Sequence, residues 1–86
     1  MPEISRFFGI VVSMYYHDHP PPHFHVRYGS QKALVSIEDL TVLKGRISPR
    51  VRDLVTQWAT AHKMELEQNW ERSERNALLA RIEPLE

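Results

Sequence analysis

The sequence predicts an α+β fold: an antiparallel meander of three to four strands packed on one long C-terminal helix, with a tail that is coil or a short final strand. Three observations carry this. Residues 7–16 and 23–38 alternate apolar and polar side chains with period two, the pattern of half-buried strands. Gly29-Ser30 lies between two such runs as a two-residue turn. From Ser48 the apolar spacing changes to three and four residues, which marks a helix. The 86 residues make a single domain, 1–86, read as a β-meander (1–45), a helix (48–76) and a tail (78–86).

Phe7 to Tyr16 reads as the first strand, with Ile10, Val12, Met14 and Tyr16 on one face and Val11, Ser13 and Tyr15 on the other. In the run His23 to Tyr28, Phe24, Val26 and Tyr28 take the core side, which leaves His23, His25 and Arg27 together on the wet side. Folding back at Gly29-Ser30, where a leading glycine suits a type II′ turn, pairs Phe24 with Val35 and Val26 with Ala33. The same register pairs His23 with Ser36, His25 with Leu34 and Arg27 with Lys32 on the outer face. Lys32 to Glu38 is the next strand, and Leu40 to Lys44 a shorter one ended by Gly45. Ser48 is an N-cap with Pro49 in the first helical position. Val51, Leu54, Val55, Trp58, His62, Leu66 and Trp70 then form the apolar stripe. Val51, Trp58, His62 and Asn69 fall in one line, with Glu65 beside it, so His62 and Asn69 are expected at the helix–sheet interface. Ala80 to Glu83 is the short final strand.

Composition narrows the function classes. With no cysteine, thiolate metal sites and disulfides are excluded, and a reducing compartment fits. No apolar run approaches the roughly 18 residues of a membrane span, and the start of the chain lacks the pattern of a secretion signal. A cytoplasmic protein that does not engage membranes is the expectation. Zero net charge argues against tight non-specific nucleic-acid binding, yet residues 1–52 carry seven Lys/Arg against four Asp/Glu.

The chemistry-bearing stretch is His17-Asp18-His19-Pro20-Pro21-Pro22-His23-Phe24-His25, which holds four of the five histidines. The prolines stiffen it by fixing φ and extending the residues before them. One reading is a metal site in which His17, His19, His23 and His25, with Asp18 as an oxygen donor, hold zinc or another divalent transition metal. A second is acid–base catalysis of the metal-independent ribonuclease type. There His23 and His25 exchange protons with RNA, and Arg27, Tyr15 and Ser36 stand beside them. A histidine-triad nucleotide hydrolase is excluded, because Arg27 stands where the nucleophilic third histidine belongs. His62, Glu65 and Asn69 form a second polar group, read as a hydrogen-bonded set on the helix. Trp58 and Trp70 read as core anchors, and the partly apolar outer face (Val11, Tyr15, Leu34) as a surface for a protein partner.

Ile4 to Ile10, the His19 to His25 run with its Pro-Pro-His-Phe-His element, Trp58-Ala59, His62, Glu65-Leu66, Asn69-Trp70 and Ile82 to Leu85 together resemble the bacterial domain-of-unknown-function family four-one-six-zero. The family motif falls on His23, Phe24, His25, His62, Asn69 and Trp70. The resemblance implies a small bacterial or archaeal protein, encoded beside another small protein in a toxin–antitoxin-like module. It thus implies a protein partner from the neighbouring gene, while RNA as a target comes only from the acid–base reading of the histidines. A homodimer and a non-catalytic interaction domain are the other outcomes the sequence leaves open.

Overall fold

A computed structural model describes residues 2–86. Five strands form one antiparallel sheet in sequence order: β1 (Glu3–Phe7), β2 (Ile10–Ser13), β3 (His23–Tyr28), β4 (Gln31–Ser36) and β5 (Val42–Arg46). Two helices follow, α1 (Pro49–Ala61) and α2 (Lys63–Glu74). The α+β class and the antiparallel meander are as expected. The number of elements is not.

The expected first strand, 7–16, shortens to β2 over Ile10–Ser13, and a strand not expected, β1, precedes it over Glu3–Phe7. Phe8 and Gly9 both take positive φ (49° and 79°) in a two-residue turn that pairs Phe7 with Ile10. Positive φ at both central positions is the type I′ hairpin. Phe8 disguises it, being an aromatic residue that is half exposed at the tip. The shorter strand expected at Leu40 to Lys44 starts and ends later. Leu40 (φ 60°) completes a turn in which its N–H donates to Ser36 O (2.9 Å), and the Ser36 N–H donates to Thr41 O (2.9 Å). β5 then runs through Gly45 rather than stopping before it. A Cβ there would lie 2.2 Å from Lys32 O, so only glycine lets β5 approach β4 so closely.

The expected single helix is broken at His62 (φ −123°, ψ 26°). A straight helix over 49–74 would run about 39 Å at 1.5 Å per residue, beyond the 33 Å long axis of the molecule. The bend keeps both halves on the core. Ser48 caps α1 as expected, its Oγ accepting from Val51 N–H. The final strand over Ala80 to Glu83 is absent. Residues 77–86 are coil, held by side-chain and isolated backbone contacts, among which the Ile82 N–H donates to Ile4 O (2.8 Å) and Trp58 Nε1–H donates to Glu83 O (2.8 Å).

The core lies between the inner sheet face (Val12, Phe24, Val26, Ala33, Val35) and the helices (Val51, Val55, Trp58, Leu66). Trp58 is fully buried, its ring 5.4 Å from Phe7 and 5.9 Å from Phe24. The β3–β4 register is His23↔Ser36, Phe24↔Val35, His25↔Leu34, Val26↔Ala33 and Arg27↔Lys32, the pairing that the alternation and the glycine turn dictate. Of the two turn residues Gly29 alone has positive φ (59°), as the first position of a type II′ turn requires. Among the described residues, no helix is long and apolar enough to cross a membrane.

Candidate metal centre

β3 places His23 and His25 two residues apart and so on one face, their rings 5.4 Å from centroid to centroid. The proline loop leads into β3 and is tied to the end of β4 by the Ile37 N–H, which donates to Pro22 O (3.0 Å). Its return path brings Asp18 over the two imidazoles. Asp18 Oδ2 lies 3.0 Å from His23 Nε2 and 3.0 Å from His25 Nε2. Asp18 Oδ1 accepts the His19 N–H (2.9 Å), which fixes the carboxylate and aims its second oxygen at the rings.

His23 Nδ1 lies 2.7 Å from Pro21 O. A carbonyl oxygen only accepts, so Nδ1 carries the hydrogen and His23 presents Nε2 to the carboxylate. A bare Nε2 lone pair facing a carboxylate oxygen at 3.0 Å would be repulsive. The geometry therefore calls for a cation between them, a proton or a metal ion. The Pro21 carbonyl occupies the outer position that orients a metal-bound histidine.

Asp18, His23 and His25 bring one donor atom each to within 4.8 Å of one another. For an ion about 2.1 Å from each donor, the 3.0 Å Nε2···Oδ2 separations subtend about 90° at the ion. That is the angle between neighbouring ligands in an octahedral set, whereas a tetrahedral one needs about 3.4 Å. Two imidazoles and one carboxylate in such a set leave further positions open. Burial pushes the Asp18 carboxyl up. The His25 hydrogen bond, the His19 N–H and the neighbouring His23 act against that and together win, so Asp18 ionises below its ordinary range.

The two rings differ in exposure. His23 was expected on the wet face but its side chain is only 5% exposed, because Trp70 of α2 lies 5.3 Å from its ring and the proline loop covers the rest. His25 is 27% exposed, with Tyr15 edge-on at 4.3 Å. Ser36 is buried opposite His23, and Arg27 is exposed two residues beyond His25. Of the histidines grouped by sequence, His17 and His19 lie outside the cluster. His17 Nε2 is engaged with Asn76 Oδ1 (2.9 Å), and His19 is exposed. No signal in the sequence marks Trp70 as the cover of His23.

His62, Glu65 and Asn69 are not one group with these. His62 Nδ1 lies 2.5 Å from Glu65 Oε1 and its ring 5.8 Å from Trp58, at the bend between the helices. It is half-buried rather than inside the interface, because the bend turns it outward. Asn69, fully buried, grips the tail: its Nδ2 donates to Ala80 O (2.8 Å) and its Oδ1 accepts from Ala80 N–H (2.9 Å) and Arg72 (3.0 Å). Among the described residues, no hydrogen bond or ring contact joins either side chain to Asp18, His23 or His25.

No curated protein and no solved structure matches the chain. A family model described as "Domain of unknown function (DUF4160)" matches residues 9–71, which include Asp18, His23 and His25 and most of both helices. With well over half of its length matched, the chain belongs to the DUF4160 family.

Proposed function

We propose that Asp18, His23 and His25 bind one divalent first-row transition-metal ion, with open coordination positions on the His25 side. The observation that carries this reading is the convergence of two Nε2 atoms on one carboxylate oxygen, with His23 Nδ1 already committed to Pro21 O. The three residues supply neutral nitrogen and anionic oxygen, a set suited to iron, manganese, cobalt, nickel or zinc. Such an ion would act as a Lewis acid or lower the pKa of a bound water, the chemistry of a metal-assisted hydrolase. His23, buried against Trp70, would be the fixed ligand, and half-exposed His25 would border the reacting space.

Titration of chelator-treated, untagged protein with Co²⁺ tests this, read by heat and by the visible spectrum. The expected result is about one equivalent bound with the weak absorption of a five- or six-coordinate ion. His25→Ala and Asp18→Ala should each weaken binding at least about tenfold, while His17→Ala and His19→Ala leave it unchanged. Less than about 0.1 equivalent bound by the wild type, or equal binding by His25→Ala, would overturn the assignment.

A second reading keeps the site metal-free: Asp18 would bridge two imidazoles as a proton relay acting on RNA. Its support is that 3.0 Å also suits a hydrogen bond. Cobalt binding at this cluster would count against it. The protein partner implied by the family resemblance is a separate proposal, tested by co-purification with the product of the neighbouring gene.

A further inference from the structure

The outer sheet face carries charge in a way the whole-chain balance conceals. Strand pairing sets Arg27, Lys32 and Arg46 directly abreast on β3, β4 and β5. The next row along the strands is Ser13, His25, Leu34 and Lys44. Like charges directly opposite one another destabilise a sheet, and here three cations stand side by side. Among the described residues no carboxylate lies within ion-pair distance of Arg27, Lys32, Lys44 or Arg46. The acid at the far edge of this face, Glu3, is held by Arg6 and Arg81, and Asp18 by the two imidazoles. Net charge is nevertheless zero, because the excess acid sits in residues 53–86.

Between the two rows lies a cleft of about 440 Å³, bordered by Tyr15, His25, Arg27, Lys32 and Lys44 with Leu34 in its floor. Its size falls in the range of small-ligand sites. The cations suit an anion with several acceptor oxygens, while Leu34 and the Tyr15 ring give an apolar seat for the rest of the ligand. Rows two residues apart on a strand are about 6.6 Å apart, which sets Arg27 and Lys32 about one nucleotide unit from Leu34, and Lys44 stands beside Leu34 on β5 as a further cation. Arg27, Lys32 and Lys44 are not metal donors, so this inference stands whether or not a metal binds at Asp18.

We propose that this cleft binds a phosphate ester of nucleotide size, its phosphate over Arg27, Lys32 and Lys44 and its apolar part on Leu34 beside Tyr15. A free nucleotide and one unit of a single strand share that chemistry. The two sources are separated by titrating chelator-treated protein with uridine 5′-monophosphate, pentauridylate, uridine and inorganic phosphate, followed by backbone amide shifts. Expected is saturable binding of the monophosphate or of pentauridylate, with shifts confined to β3, β4 and β5 and no saturation by uridine. Tighter binding of pentauridylate identifies the strand as the source, and equal or weaker binding the free nucleotide. Lys32→Ala combined with Lys44→Ala should weaken binding at least about tenfold with an unfolding midpoint no lower than that of the wild type, while Arg50→Ala, exposed on α1, leaves binding as in the wild type. No saturation by either phosphate ester, equal affinity for inorganic phosphate, or an unaffected double variant would overturn the proposal. Cobalt titration of the same sample reports on the metal site separately.

Discussion

At the scale of single residues, the side chains with most at stake are those whose polar atoms are all committed. Asn69 is the clearest case: it completes the backbone hydrogen bonding of Ala80 much as a neighbouring strand would. Asn69→Ala removes two part-buried hydrogen bonds to the Ala80 backbone, each contributing about 0.5–1.5 kcal/mol, so a loss of about 1–3 kcal/mol is expected from chemical unfolding. Glu3 gives a pH-dependent case. Hydrogen bonds from Arg6 and Arg81 lower its carboxyl from 4.5 to about 2. A depressed folded-state pKa contributes stability above the unfolded value and loses it as pH falls through the folded one. The stability difference between wild type and Glu3→Gln should therefore be present at neutral pH and vanish between pH 4.5 and about 2. It should also shrink with added salt, because the group is at the surface. Residue types alone mark His23, His25 and Asp18 as candidate ligands. They do not reveal that Asp18 reaches both rings while His17 turns to Asn76, because loop return paths leave no periodic trace in a sequence.

At the scale of elements, what was legible follows from period and turn chemistry. Gly29-Ser30 and the alternation on either side fix the β3–β4 register, and Ser48-Pro49 fixes the start of α1. The Phe8-Gly9 turn is nearly hidden, since one glycine within an apolar run is its only local signal. The bend at His62 has no local signal, because no proline or glycine lies near it. It shows only in the assembled molecule, where residues on both sides of it are buried in the core. Gly45 is the element-scale test. An added Cβ meets the Lys32 carbonyl and the φ of +85° is left-handed, so Gly45→Ala should cost more than about 1 kcal/mol. By displacing β5 it should also shift the amides of Lys32 and Lys44, readable in a heteronuclear correlation spectrum.

At the scale of the whole molecule, the residues of the family motif divide by task. Asn69, with Trp58 from the wider resemblance, pins the coil tail to the helices, and Trp58 fills the core between Phe7 and Phe24. His23 and His25 form the polar cluster, and Trp70 links the two by covering His23. The helix layer thus reaches the polar cluster through an indole ring that itself belongs to the core. That arrangement holds one imidazole dry and still and leaves the other beside a cationic cleft. The most direct test of this arrangement is an anomalous difference map from cobalt-soaked crystals collected at the cobalt edge. The expected result is a single peak about 2.1 Å from His23 Nε2, His25 Nε2 and an Asp18 carboxylate oxygen. A peak at His17 or His19 instead, or none at any of the five histidines, would contradict it.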